Sequence, residues 1–219
     1  MPTSNWQNIS YNIDLIKKIN PKSILDVGVG FGRWGILFRE FLELWNETDF
    51  SKSDSPDWEI KITGIEIFPA YIKPYHHFFY SEIILKDIKD YLAETNDKFD
   101  LINYGDVIEH LTKKDALTII EKSLNISDYV LINIPIGKNW EQSSNINPYE
   151  EHKSFWQISD FKNYPNKIIK IFNDHIYRKF AVVILSKNVI NLNKKLPPLY
   201  NLKNFLKYKL GLINLINSK

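Results

Sequence analysis

The segment Ile24-Leu25-Asp26-Val27-Gly28-Val29-Gly30-Phe31-Gly32 constrains this chain more than any other. The apolar run Ser23 to Val27 reads as a buried strand, and it feeds a turn with glycine at every second position. A helix follows over 35–45. Glycine admits positive φ and lets a ligand approach the bare main chain. Three ligand classes compete for such a turn. A mononucleotide P-loop ends in Gly-Lys-Ser/Thr, which is absent. The dinucleotide fingerprint G-x-G-x-x-G puts its third glycine where Arg33 stands. The pattern present is D-x-G-x-G-x-G. An acid at Asp26, directly before the turn, suits a ligand with positive charge better than a pyrophosphate. A turn holding no ligand is the alternative.

Strands alternate with helices through the rest of the chain. A helix is expected over Asn8 to Ile19, and strands at Ile60 to Ile67, Glu82 to Lys86, Phe99 to Tyr104 and Tyr129 to Ile134. Short helices fit Tyr71 to Tyr80, Ile88 to Glu94 and Ser159 to Tyr164. Thr112, with Asp115 three positions on, caps a further helix to about Leu124. Ile168 to Asn173 and Arg178 to Ser186 flank a turn too short for a helical crossover, so they must pair antiparallel. These elements predict an α/β fold: a doubly wound, mostly parallel seven-stranded sheet, helices on both faces, and an antiparallel C-terminal strand pair. Ligands of such sheets bind at the carboxyl ends of the strands.

Composition narrows the function. With 44% hydrophobic and 25% charged residues, the 219-residue chain is globular and long enough to bury one substantial core. The absence of cysteine excludes disulfides, thiolate zinc sites and a cysteine nucleophile. Met1 to Ile16 lacks a secretory signal pattern and no run approaches 18 apolar residues, so a cytoplasmic protein is expected. Five acids against one lysine lie between Glu47 and Glu59, whereas Lys187 to Lys219 carries seven lysines and no acid. The expected division is a main domain over 1–190, with an insertion at 46–59 and a lid over the acceptor side at 138–158, then a basic amphipathic extension over 191–219. That extension can dock on its own domain, a dimer mate or a membrane surface.

The glycine pattern resembles motif I of the class I, Rossmann-like S-adenosylmethionine-dependent methyltransferases. Further motifs follow in that family's order. Gly64-Ile65-Glu66 ends the second strand and Asp87-Ile88 the third; Tyr104-Gly105-Asp106-Val107-Ile108-Glu109-His110-Leu111 is similar to the family's fourth-strand motif, D-V-I/L-E-H. The resemblance spans about Ile24 to Ser186. It implies that Asp26, Gly28, Gly30, Gly32, Glu66, Asp87, Ile88 and Tyr104 bind S-adenosylmethionine. Glu66 would accept from the ribose hydroxyls, and Asp87 beside Ile88 would meet the adenine. The long interval from Asp26 to Glu66 makes the acidic 46–59 stretch an insertion.

Methyl transfer needs an aligned nucleophile and, for a hydroxyl, a base. Asp106, His110 and His152 are the candidate catalytic residues. If a helical turn begins at Asp106, then Asp106, Glu109 and His110 project together. The arrangement D-x-x-E-H with a later histidine, in Tyr149-Glu150-Glu151-His152-Lys153-Ser154-Phe155-Trp156, is similar to metal-assisted O-methyltransferases. That similarity implies Asp106, Glu109, His110 and His152 as ligands of Mg²⁺ or Mn²⁺. In members without metal, Glu and His fix the loop instead. Trp140, Tyr149, Phe155 and Trp156 either stack on an acceptor or pack the lid. His76, His77 and His175 have no partner spacing and read as surface or core.

The expected function is O-methylation of a small polar or saccharide acceptor by a monomer or homodimer. RNA 2′-O-methylation is a rival that would need a basic, aromatic-lined face; the near-neutral main domain and acidic insertion argue against nucleic acid. A non-catalytic cofactor-binding partner subunit is the other rival.

Overall fold

The computed structural model describes residues 5–44, 58–143 and 146–192. Its elements run α1 (Ile9–Ile19), β1 (Ser23–Val27), α2 (Arg33–Phe38), β2 (Lys61–Glu66), α3 (His76–Phe79), β3 (Glu82–Leu85), α4 (Ile88–Glu94), β4 (Phe99–Gly105), α5 (Lys113–Ile126), β5 (Ser127–Pro135), β6 (Lys167–Asn173) and β7 (Lys179–Leu185). The seven strands form one sheet in the order β3-β2-β1-β4-β5-β7-β6. The first five are parallel, while β7 runs antiparallel to both β5 and β6. Strand order reverses between β1 and β4, which opens a crevice at their carboxyl ends.

Alternate residues of the central strands feed two cores, one on each face. Leu25, Ile102 and Ile132 pack with Ile88 and Tyr91 of α4 and with Ile119 and Ile120 of α5. Their neighbours Ile24, Leu101 and Leu131 face the other way, onto Leu15 and Ile16 of α1 and Trp34 and Phe38 of α2. Helix α5 buries Ala116, Ile119, Ile120, Ser123 and Leu124, a stripe at helical spacing. Each fully buried aliphatic side chain contributes about 1.5–3 kcal/mol. A polar tie fixes α1 across the sheet: the Nδ2 groups of Asn8 and Asn12 both donate to Asn133 Oδ1, at 2.7 and 2.8 Å.

Three expected helices are shorter in the structure, and that over Ser159 to Tyr164 is only a 3₁₀ turn, Ile158–Phe161. Between Tyr71 and Tyr80 only His76–Phe79 is helical, because Pro74 cannot donate to a helix begun earlier. Helix α2 gives way to a wider π-type turn, Arg39–Glu43. There the buried Arg39 donates to Phe79 O (2.8 Å), Ile60 O (2.7 Å) and Glu43 Oε2 (2.5 Å). Glu43 Oε1 accepts from the N–H groups of Glu59 and Ile60, at 2.6 and 3.1 Å. This clamp joins the two flanks of the expected insertion, whose residues 46–57 lie outside the described residues. Nearly all of the basic extension, 193–219, lies outside them too. Among the described residues no helix is long and apolar enough to cross a membrane.

Candidate active site

A cavity of about 760 Å³ occupies the crevice at the carboxyl ends of the parallel strands. Its first wall is the turn after β1. Gly28 (φ 77°) and Gly30 (φ 53°) both hold left-handed backbone. A Cβ on Gly28 would come within 2.6 Å of Val107 Cγ2, so the close approach demands glycine. The loop is pinned to β2: Gly28 N–H donates to Ile65 O (2.8 Å) and Gly30 N–H to Glu66 Oε2 (2.9 Å). Glu66 Oε1 accepts from Phe68 N–H at 2.8 Å, and the Ile67 N–H also supports this carboxylate, which lines the cavity with its remaining acceptor capacity. Burial raises the Glu66 carboxyl above its ordinary value, against the backbone bonds that favour its charge. Asp87 and Ile88 line the adjoining wall, with Asp87 also capping α4 by accepting from Lys89 N–H (2.8 Å).

Three residues expected to touch a cofactor lie off this wall. Asp26 is buried beneath the loop, accepting from Tyr80 OH (2.5 Å) and Asn103 Nδ2 (2.8 Å). Desolvation pushes its carboxyl up to about 7, against those two bonds, with the Glu66 charge adding to the rise. It braces the turn from below. Gly32 (φ 87°) opens α2, and a Cβ there would meet His76 Cδ2 at 2.8 Å; its glycine serves packing against His76. Tyr104 points into the core, where its hydroxyl meets Ser123 Oγ at 2.6 Å. Successive strand residues face opposite ways, which is why this motif position turns from the cavity.

The opposite wall is built by the end of β4 and the segment after β5. Asp106 lines the cavity in left-handed backbone (φ 56°) with its N–H on Asn133 O. The single helical turn begins only at Ile108, not at Asp106. Glu109, His110 and His152 form a cluster whose nearest ligand atoms lie within 4.8 Å of one another, and Asp106 is not part of it. Glu109 is 1% exposed, and its Oε2 has no hydrogen-bond partner. Desolvation drives its carboxyl well above the ordinary range, and the charges of Asp106 and Glu150 add to that. Burial and the neighbouring His152 lower His110 to about 4. Burial also lowers His152, assisted by the Arg178 charge. Both imidazoles are therefore neutral near pH 7, with ring centres 4.9 Å apart. With Nδ1 protonated and donating to Glu151 O (3.2 Å), His110 presents Nε2 as a lone pair.

Backbone bonds bring His152 to this place. Lys153 and Ser154 N–H both donate to Glu109 O, at 2.9 and 3.0 Å. Gly137 N–H donates to Trp156 O (2.8 Å), closing the segment at its base. Trp156 is fully buried, stacked on Phe161 and under Lys113 Nζ, and so packs its segment against the core rather than facing the cavity. Phe155 is exposed off the cavity, whereas Tyr149 and Trp140 line it. Several wall residues carry no motif in the sequence: Tyr71, whose hydroxyl donates to Glu150 Oε1 (2.9 Å), Arg33 and Arg178. Arg33 stands one residue beyond the glycine pattern, and Asp174-x-x-x-Arg178 is a visible charge pair. His175 also lines the cavity and His76 lies buried under the glycine loop, while His77 is exposed.

No family model matches the sequence. Over 92 residues the chain is 33% identical to a holo-[acyl-carrier-protein] synthase of Ehrlichia canis (strain Jake), covering 38% of this chain and 71% of that protein. That stretch is well under half of the chain, so it assigns nothing to the seven-stranded domain as a whole. Solved structures match far more of it. A SAM dependent methyltransferase from Archaeoglobus fulgidus covers 81% of this chain and 94% of its own, at 15% identity and TM-score 0.53. Magnesium protoporphyrin IX methyltransferase from Synechocystis PCC 6803, with bound SAH, covers 83% of both chains at 12% identity and TM-score 0.56. The N-terminal domain of EvdMO1, in the presence of SAH and D-fucose, covers 84% of this chain and 85% of its own at 10% identity and TM-score 0.55. The chain thus has the Rossmann-like fold of the class I S-adenosylmethionine-dependent methyltransferases.

Proposed function

We propose that this protein is an S-adenosylmethionine-dependent methyltransferase acting on an oxygen of a small polar or saccharide acceptor. One observation carries the reading: a single cavity joins the glycine turn, Glu66 and Asp87–Ile88 on one side to the Glu109–His110–His152 cluster on the other. A nucleoside ligand suits this wall, since the bare main chain of Gly28 and Gly30 lines the cavity and Glu66 stands beside it as an acceptor at the end of β2. S-adenosylmethionine, when bound, supplies an activated methyl group. The protein's share is then to orient the acceptor, exclude water and take up a proton. A neutral His110 or His152 can accept that proton from an acceptor hydroxyl. The D-fucose of one structural neighbour supports a saccharide acceptor.

The donor set also fits a divalent cation. Glu109 offers an unpartnered buried oxygen, and two neutral imidazoles stand within reach. Two nitrogens and one carboxylate suit Mn²⁺ better than Mg²⁺, which prefers all-oxygen shells. A bound cation would lower the pKa of an acceptor hydroxyl. Asp106, on the same wall, would act on the acceptor or complete the shell through water.

Calorimetric titration with S-adenosylmethionine, with and without Mn²⁺ or chelator, tests the reading. We expect one site per chain and cofactor affinity nearly independent of metal. Failure of the folded protein to bind either S-adenosylmethionine or its demethylated product would overturn it.

A further inference from the structure

We propose that Arg178, braced at the mouth of the cavity beside His152, receives an oxyanion of the acceptor and so selects carboxylate- or phosphate-bearing substrates. The proposal rests on the methyltransferase reading for the word acceptor, but its binding chemistry stands by itself. Because β7 runs antiparallel to β5, with Pro135 opposite Phe180, the turn between β6 and β7 falls at the end of the sheet that carries the cavity. That turn brings Arg178 onto the same wall as His152 and Lys153.

The guanidinium is fixed on two sides. Asp174 accepts from the backbone N–H of Ile176 (3.0 Å) and of Arg178 (2.8 Å) through Oδ1, and from Arg178 Nε (2.8 Å) through Oδ2. The Trp140 ring lies under the group, with Cζ 3.8 Å from its centroid. Trp140 is itself tied by its indole N–H to Lys179 O at 2.9 Å. These contacts use the Nε edge and one face. No described residue accepts from the Nη groups, and the side chain is 33% exposed. A planar fork whose orientation is already set loses little entropy on meeting a carboxylate or phosphate, and such pairs are bidentate and strong. Arg39 shows the contrasting use of the same side chain: buried at 1% exposure, it spends four N–H donors on Phe79, Ile60, Glu43 and Ser81 and lines no part of the cavity.

The test titrates the full chain with inorganic phosphate and, separately, with acetate, each against chloride at equal ionic strength. The Trp140 indole N–H resonance reports binding, with and without S-adenosylhomocysteine. Saturable binding of at least one oxyanion is expected, weakened about tenfold or more in Arg178→Gln and only partly retained in Arg178→Lys. Phosphate and acetate midpoints tell which oxyanion the site prefers. The proposal falls if neither ion saturates the wild type, or if Arg178→Gln binds as tightly as wild type. S-adenosylhomocysteine affinity should stay within about twofold in both variants, as expected for a group that acts by ion pairing at a distance from the glycine turn. A wild-type protein that binds oxyanions but no S-adenosylhomocysteine would sink the methyltransferase reading and leave the anion site standing.

Discussion

The two walls of the cavity are made by different means. On the β1–β3 side the wall is set by main chain at the glycine turn: Gly28 and Gly30 hold left-handed backbone, and their N–H groups are tied to β2 and to Glu66. On the β4–β7 side it is set by side chains, with Glu109, His110, His152 and Arg178 gathered from the turn after β4, the segment after β5 and the β6–β7 turn. A main-chain wall tolerates little change in shape but accepts almost any side chain that does not intrude. A side-chain wall can be respecified one residue at a time. On the proposed reading, cofactor binding and acceptor choice fall on different walls, and variants on each wall should show that separation.

The largest effect belongs to the histidines. His110→Ala and His152→Ala should each lower turnover by roughly 10²–10⁴-fold, while calorimetry finds cofactor affinity nearly unchanged. Full activity in both would remove them from the chemistry. Next comes Trp156→Ala, which empties a fully buried site under the lid and should cost about 3–5 kcal/mol in urea unfolding. Gly28→Ala should act in reverse to the histidines. Its Cβ meets Val107 at 2.6 Å on a backbone with φ 77°, so cofactor affinity should fall at least tenfold, with a stability loss of about 1–3 kcal/mol.

The subtlest contrast is in pH. Asp26, ordinarily near 3.8, is raised to about 7, so the stability tied to its proton is full below 3.8 and is lost as pH rises through 7. His110, ordinarily near 6.5, is lowered to about 4; its contribution is present above 6.5 and is lost as pH falls through 4. Asp26→Asn should therefore flatten the fall in stability between about pH 4 and 7. His110→Asn should remove a rise over nearly the same window. Urea midpoints measured at half-unit steps decide whether the two slopes have opposite signs.

The sequence makes the main-chain wall legible because its requirements are local. Glycine at three alternating positions, a strand before them and an acid at the end of β2 are all visible in short stretches. The strand and helix order follows from apolar periodicity, and the late antiparallel pair from its short turn. What stays hidden is orientation and long-range assembly. Asp26 and Tyr104 both belong to the motifs, yet the first braces the loop from beneath and the second faces the core. Asp106 keeps its place on the wall but not in the histidine cluster, because left-handed backbone there delays the helical turn to Ile108. Arg178 and Trp140 meet only through tertiary packing, so neither is marked by spacing.

The paired bonds from Lys153 and Ser154 to the Glu109 carbonyl tie two parts of the histidine cluster into one unit. His152 precedes Lys153 directly, so the flap cannot swing away without carrying off one imidazole and freeing the peptide that presents the carboxylate. Displacing it would therefore take the Glu109–His110–His152 cluster apart, and its return would rebuild the cluster. On the methyltransferase reading proposed above, a molecule too bulky for the segment to settle would meet an incomplete cluster, so the same two bonds would couple acceptor size to reactivity.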